Sequence, residues 1–199
     1  MPREHESDID LLSRWGEGSR EAGEMLFDRH FATVHRFFRN KVGSELEDLV
    51  QQTFLACVEA RSSFRMEASF KTFLLGIARH QLYTHYRKRR KDPVDFTLTS
   101  LRDMGTSPTG ILARREREGL LMDALQRMPI ESQLILELAY GEGLDGVEIA
   151  SVLSVPVNTV YSRLSRARSR LRQLVGEASP GVSEDELMPV LTLHYTGPH

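Results

Sequence analysis

Residues Leu144-Asp-Gly-Val-Glu-Ile-Ala-Ser-Val-Leu-Ser-Val-Pro-Val-Asn-Thr-Val-Tyr-Ser-Arg-Leu-Ser-Arg-Ala-Arg168 divide at Ser154-Val-Pro156 into two segments of helical period. Asp145 opens the first. Its carboxylate can accept from the free amides of the first turn, and Glu148 can reach back to the Asp145 amide, which is a capping box. Val147, Ile149, Ala150 and Leu153 make the apolar side. Pro156 lacks an amide N–H and disfavours helix in the residue before it, so it ends the first helix and suits the start of the second. In that second helix Val160, Leu164, Ala167, Leu171 and Leu174 recur at three- and four-residue steps, a core-facing stripe. Thr159, Ser162, Arg163 and Arg166 fall on other faces, from which they could reach phosphates and base edges. Helix, tight turn and arginine-studded helix together are the pattern that lays one helix in the major groove of DNA. For Arg168, Arg170 and Arg172 a solvated basic helix end is an equal reading, because cations favour helix C-termini.

The charge distribution extends this reading to a second place. The 199 residues carry a net charge of −2, which by itself argues against a nucleic-acid partner. The charge is not spread evenly. Residues 61–91 hold nine basic side chains and one acidic, and 157–175 hold five arginines and no acid. The segments before, between and after these islands are acidic. Two basic islands in an acidic chain imply two separate contacts with phosphate. The first mixes aromatics with cations, Phe70, Lys71, Phe73, Arg79, His80, Tyr83 and Tyr86 running into Arg87-Lys-Arg-Arg-Lys91. Single-stranded nucleic acid is held by such a mixture, bases stacking on rings while cations track the backbone. Phe70 and Phe73 read equally as core residues, and the 87–91 run alone would be a solvated patch.

Helical period dominates the rest of the chain, and the fold class is all-α: two small helical domains on a flexible linker. Leu26, Phe27, Phe31, Val34, Phe37 and Phe38 make an apolar face over 21–40. Ser44 with Glu47 resembles a second capping box, opening a helix over 45–60 through Leu46, Leu49, Val50, Phe54 and Val58. A third runs over 69–90. Asp92 to Thr106 shows no sustained period and reads as a linker. Ser107-Pro108 can cap and open a helix to Gln126, and another spans Pro129 to Tyr140, closed by Gly141 and Gly143. The expected domains are 1–91, a linker over 92–109, 110–176, and an acidic tail over 177–199 that folds back or remains disordered.

Other chemistry finds little support. A single cysteine, Cys57, excludes an internal disulfide and fits a reducing cytoplasm. Its neighbours Phe54, Leu55 and Val58 favour a buried small hydrophobe. No apolar run approaches membrane-spanning length, and no secretory signal opens the chain. His30/His35 and His80/His85 are spaced five apart, which turns them off a common helix face, and no HExxH or phosphate-binding glycine loop is present. The expectation is a non-enzyme with no metal and no cofactor.

Taken together, these residues resemble the extracytoplasmic-function class of bacterial sigma factors, the dissociable initiation subunits of RNA polymerase. The resemblance rests on Leu26-Phe-Asp-Arg-His-Phe31, Asp48-Leu-Val-Gln-Gln-Thr-Phe54, Ala68-Ser-Phe-Lys-Thr-Phe-Leu-Leu-Gly-Ile-Ala-Arg79, Leu125-Gln-Arg-Met-Pro129, and Gly143 to Leu174. It implies that Asp48, Gln51 and Gln52 dock on the clamp helices of the polymerase largest subunit, with the flap region as a further contact. It implies that Arg61, Phe64, Lys71, Phe73, Arg79, His80 and Tyr83 capture the unpaired −10 strand, one base being turned out of the stack. It implies that Asn158, Thr159, Tyr161, Ser162, Arg163 and Arg166 read the −35 duplex. An anti-sigma factor is an implied partner, and no membrane insertion is expected. The chain departs from the family pattern at Gln52, Phe73, His80, Thr84, Ser154 and Tyr161. The family usually has an acid, tryptophan, asparagine, aspartate, glycine and a basic residue at these places.

Two rival readings stand beside this one. A free-standing helix-turn-helix regulator explains 144–175 but leaves the first island idle. A helical adaptor that binds only proteins leaves both islands idle.

Overall fold

The computed structural model describes residues 6–61, 64, 68–89, 93–103, 116–178, 189 and 192. Its described residues form eight α-helices and no strand. The chain divides into two compact units, 1–83 and 84–199.

The first unit begins with a helix that the apolar pattern did not reveal, α1 (Asp8–Gly16). Ser7 caps it: the Ser7 hydroxyl accepts from the Asp10 amide at 3.2 Å, and the Asp10 carboxylate accepts from the Ser7 amide at 3.2 Å. Leu11, Leu12 and Trp15 form its buried face. Burial of each contributes on the order of 1.5–3 kcal/mol. Gly18, at φ 103°, turns the chain into α2 (Arg20–Arg39), where Gly23 admits the Trp15 indole at a distance no side chain would allow. Polar contacts fix the same pair of helices. Asp8 accepts from Arg29 and lies 2.7 Å from Nε2 of the buried His30. Burial alone would raise the Asp8 pKa, but hydrogen bonds from Arg29 and His30 hold it below its ordinary value.

α3 (Leu46–Ala60) starts without the expected capping box. The Ser44 hydroxyl donates to the Glu45 carboxylate instead, and Glu47 faces His35 at 3.7 Å. Cys57 is fully buried, and desolvation pushes its thiol up to about 12. α4 (Phe70–Arg89) buries Phe70, Leu74, Leu75 and Leu82. Phe70 makes edge contacts with the rings of Trp15 and His30.

The division between the two compact units falls inside α4, after Tyr83. The physical reason lies just beyond the helix. Tyr86 packs on Phe96 at 6.3 Å, and the Arg87 guanidinium lies over the Phe96 ring. Phe96 and Leu101 are buried, so the expected linker is non-helical but held over 93–103. Glu131 and Ile130 amides donate to the carbonyls of Phe96 and Thr99, and Ser100 bridges to Pro129. The rest of that linker and the Ser107-Pro108 cap lie outside the described residues.

In the second unit α5 (Glu116–Gln126) and α6 (Ile130–Leu136) precede a π-helical turn over Glu137–Gly141. Gly143, at φ 66°, then redirects the chain into α7 (Gly146–Leu153) and α8 (Val157–Ala178). α8 packs against α5, α6 and α7. Its Val160, Ala167, Leu171 and Leu174 are buried as the period requires, while Leu164 is half-buried. Apart from the end of α8 and positions 189 and 192, the tail lies outside the described residues.

Candidate nucleic-acid interface

The α7–turn–α8 unit is built by local chemistry. Asp145 Oδ1 accepts from the Val147 and Glu148 amides, both at 2.8 Å, and the Glu148 carboxylate accepts from the Asp145 amide at 3.1 Å. The expected capping box is present. α7 ends at Ser154, which sits in the left-handed region at φ 55°, ψ 47°. Glycine adopts that conformation at no steric cost, and serine does not. Pro156 stands one residue outside α8, and its carbonyl accepts from the Thr159 and Val160 amides.

Along α8, Asn158, Ser162 and Arg166 are exposed at four-residue steps, with Tyr161 beside them and Arg170 one turn further. The Ser162 hydroxyl donates to the Thr159 carbonyl at 3.0 Å, and Arg166 Nε to the Ser162 carbonyl at 3.3 Å. Thr159 is half-buried. Arg163 is engaged within the protein. Its guanidinium donates to the largely buried carboxylate of Glu131 on α6, and its side chain is 30 % exposed. No pattern in the sequence signals that pair, because the partners are far apart in the chain.

The first basic island resolves into packed and open residues. Phe64 and Phe73 are half-buried against each other, ring centroids 4.8 Å apart, and Phe64 also meets Phe70. Arg61 donates to the Trp15 carbonyl at 3.2 Å and lies over the Trp15 ring. Lys71 and Arg79 are half-buried and His80 is exposed. Tyr83 is the one buried residue of the set expected at the −10 strand, 7 % exposed with the Arg79 guanidinium 4.7 Å from its ring centre.

On α3, Asp48, Gln51 and Gln52 are all exposed. Two apolar neighbours share their side of the helix, Leu55 at 59 % and Val58 at 44 % exposure. Val58, expected on the apolar face of the helix, is thus exposed. On α2, Phe31 is 46 % exposed and stacks on Phe54. The spacing of Leu55, seven residues from Asp48 and three from Gln52, already places it on their side of the helix.

Among the described residues no group of three or more His, Cys, Asp or Glu side chains is arranged to hold a metal ion. Among them, no helix is long and apolar enough to cross a membrane.

The chain matches two family descriptions, "Sigma-70 region 2" over residues 26–92 and "Sigma-70, region 4" over 118–171. It is 30 % identical over 142 residues to the RNA polymerase sigma factor HrpL of Pseudomonas syringae pv. syringae, covering 69 % of this chain and 77 % of HrpL. It is 28 % identical over 183 residues to the ECF RNA polymerase sigma factor SigM of Mycobacterium tuberculosis H37Rv, covering 91 % of each. In fold it is similar to CnrH in complex with the cytosolic domain of CnrY, with a TM-score of 0.63 at 24 % identity, covering 87 % of this chain and all of that one. It is also similar to the sigma factor RpoE in complex with the anti-sigma factor NepR from Bartonella quintana, with a TM-score of 0.58 at 22 % identity, covering 76 % and 95 %.

Proposed function

This chain belongs to the sigma-70 family of RNA polymerase sigma factors, in the extracytoplasmic-function class, and we propose that it directs promoter-specific initiation through three surfaces on its two units. The first is α8, which reads the −35 duplex with Asn158, Tyr161, Ser162 and Arg166, Thr159 contributing at the edge. Arg163 supports this surface from behind through Glu131. The second is the surface of Arg61, Phe64, Lys71, Phe73, Arg79 and His80, which holds the unpaired −10 strand. Tyr83 acts there by supporting Arg79. The third is the exposed side of α3, Asp48, Gln51 and Gln52 with Leu55 and Val58, which docks on the clamp helices of the polymerase largest subunit.

The observation that carries this reading is the polar stripe of α8. Its residues are exposed at helical spacing on a helix whose opposite side is buried, and a capped helix precedes it across a tight turn. That is a groove-reading arrangement. The sigma factor supplies position and strand capture, and the polymerase supplies the reacting groups. The working domains are 1–91 and 110–176, joined by 92–109, in the cytoplasm. An anti-sigma factor is a further partner on this reading, because the relative RpoE is solved with one.

The test is in-vitro transcription. Core polymerase with the purified chain should start RNA at discrete sites where core alone does not. Failure at every site overturns the reading. A free-standing regulator would instead bind promoter duplex tightly and sequence-specifically without polymerase, which a gel shift with and without core detects.

A further inference from the structure

The surface where α7 meets α8 carries an aromatic contact that phosphate binding does not explain. A side-chain carbon at Gly146 would lie 2.6 Å from the Tyr161 hydroxyl oxygen and 2.8 Å from the ring carbon bearing it. The phenol therefore occupies the space that any other residue at 146 would need. Gly146 is the first residue of α7, so the Tyr161 ring is laid across that helix start rather than extended into solvent. It is nonetheless 59 % exposed, and Val147, the next residue of α7, is 64 % exposed. An apolar surface thus sits beside the polar stripe of Asn158, Ser162 and Arg166. The hydroxyl through which a tyrosine can bond a phosphate is directed at the start of α7, and a neutral ring adds nothing to counterion release, so what Tyr161 offers to DNA is an apolar ring. The apolar feature that the major groove displays is the C5-methyl group of thymine.

We propose that Tyr161, held across Gly146, is a specificity-determining residue that packs its ring on the methyl group of one thymine in the −35 duplex. The inference rests on the reading of α8 as the −35 helix. Because the ring is positioned before DNA arrives, less side-chain freedom is lost on binding. Gly146 is then part of the same device, since a methyl at that position displaces the ring without touching DNA itself.

The experiment measures binding of the full chain with core polymerase to promoter duplexes in which each −35 thymine in turn is replaced by deoxyuridine, which lacks only the methyl. The wild type should weaken about fourfold at one position, the worth of one buried methyl. Tyr161→Ala should abolish that discrimination, and Tyr161→Phe should keep it because the ring remains. Gly146→Ala should lose it as well, with thermal unfolding showing that the fold is intact. Indifference of the wild type to every deoxyuridine, or retained discrimination in Tyr161→Ala, overturns the proposal. Loss in Tyr161→Ala but not in a folded Gly146→Ala overturns the part assigned to Gly146. Absence of any promoter binding by the wild-type complex instead overturns the underlying −35 reading, and the proposal with it.

Discussion

At Ser154 the backbone takes a left-handed turn that a side chain makes costly, about 1–2 kcal/mol for an L-residue. Ser154→Gly should therefore stabilise the chain, by about 1 kcal/mol once the greater entropy of glycine in the unfolded chain is set against it. A rise in the thermal midpoint of the variant checks this, and an unchanged or lower midpoint refutes it. Arg163 and Arg166 stand three residues apart and have opposite fates. Arg163→Ala leaves the mostly buried Glu131 carboxylate without that partner and should cost about 1–3 kcal/mol of folding stability, with −35 base preference unchanged. Arg166→Ala should leave stability near wild type and cost about 1–3 kcal/mol of discrimination at one base pair. Denaturant titration of each variant, beside binding of the holoenzyme to single-base-pair promoter variants, separates the two. Both arginines were legible as basic positions of one helix. Their division of labour was not, because the Glu131 that decides it lies in another element.

Among the elements, α1 shows how a short helix escapes a periodicity argument. Its nine residues offer barely two turns of pattern, yet Ser7, Asp10, Leu11 and Trp15 mark it by capping and by burial. Its attachment to α2 is partly electrostatic, through Asp8 with Arg29 and His30. The Asp8 pKa is lowered in the folded chain, so the unfolded state binds the proton more readily. The contribution is present above the ordinary aspartate value of 3.8 and disappears as pH falls through the lower folded value. Asp8→Asn should accordingly reduce stability by about 1 kcal/mol at neutral pH, a modest figure because the pair is partly solvated. The difference from wild type should vanish in acid below the folded pKa. Denaturation midpoints across pH measure it, and a difference that persists unchanged into acid rules out the ionic attachment. The Ser44–Glu47 box failed for the opposite reason. Its spacing is right, but the Ser44 hydroxyl finds the adjacent Glu45 carboxylate.

For the whole molecule, the proposed polymerase-docking residues of α3 are exposed rather than part of the core. Asp48→Ala with Gln51→Ala and Leu55→Ser should weaken association with core polymerase by about tenfold, or ~1.4 kcal/mol, while leaving the fold intact. Co-purification with core and a far-ultraviolet dichroism spectrum together check this, and unaltered co-purification removes α3 from the interface. What the sequence determined by itself was what a few adjacent residues can encode. The Asp145–Glu148 cap, the break at Pro156, the apolar stripe of α8 and the two basic islands depend on spacing and on local hydrogen bonds, which the chain carries wherever it goes. Only the tertiary structure decided which of those side chains face outward. Tyr83 is covered, Arg163 is drawn to Glu131, Tyr161 lies over Gly146, and Phe96 holds part of the expected linker. The reason is physical. A residue's type sets what it can bond, but the partner that satisfies or buries it arrives from elsewhere in the chain, and helical period alone does not say from where.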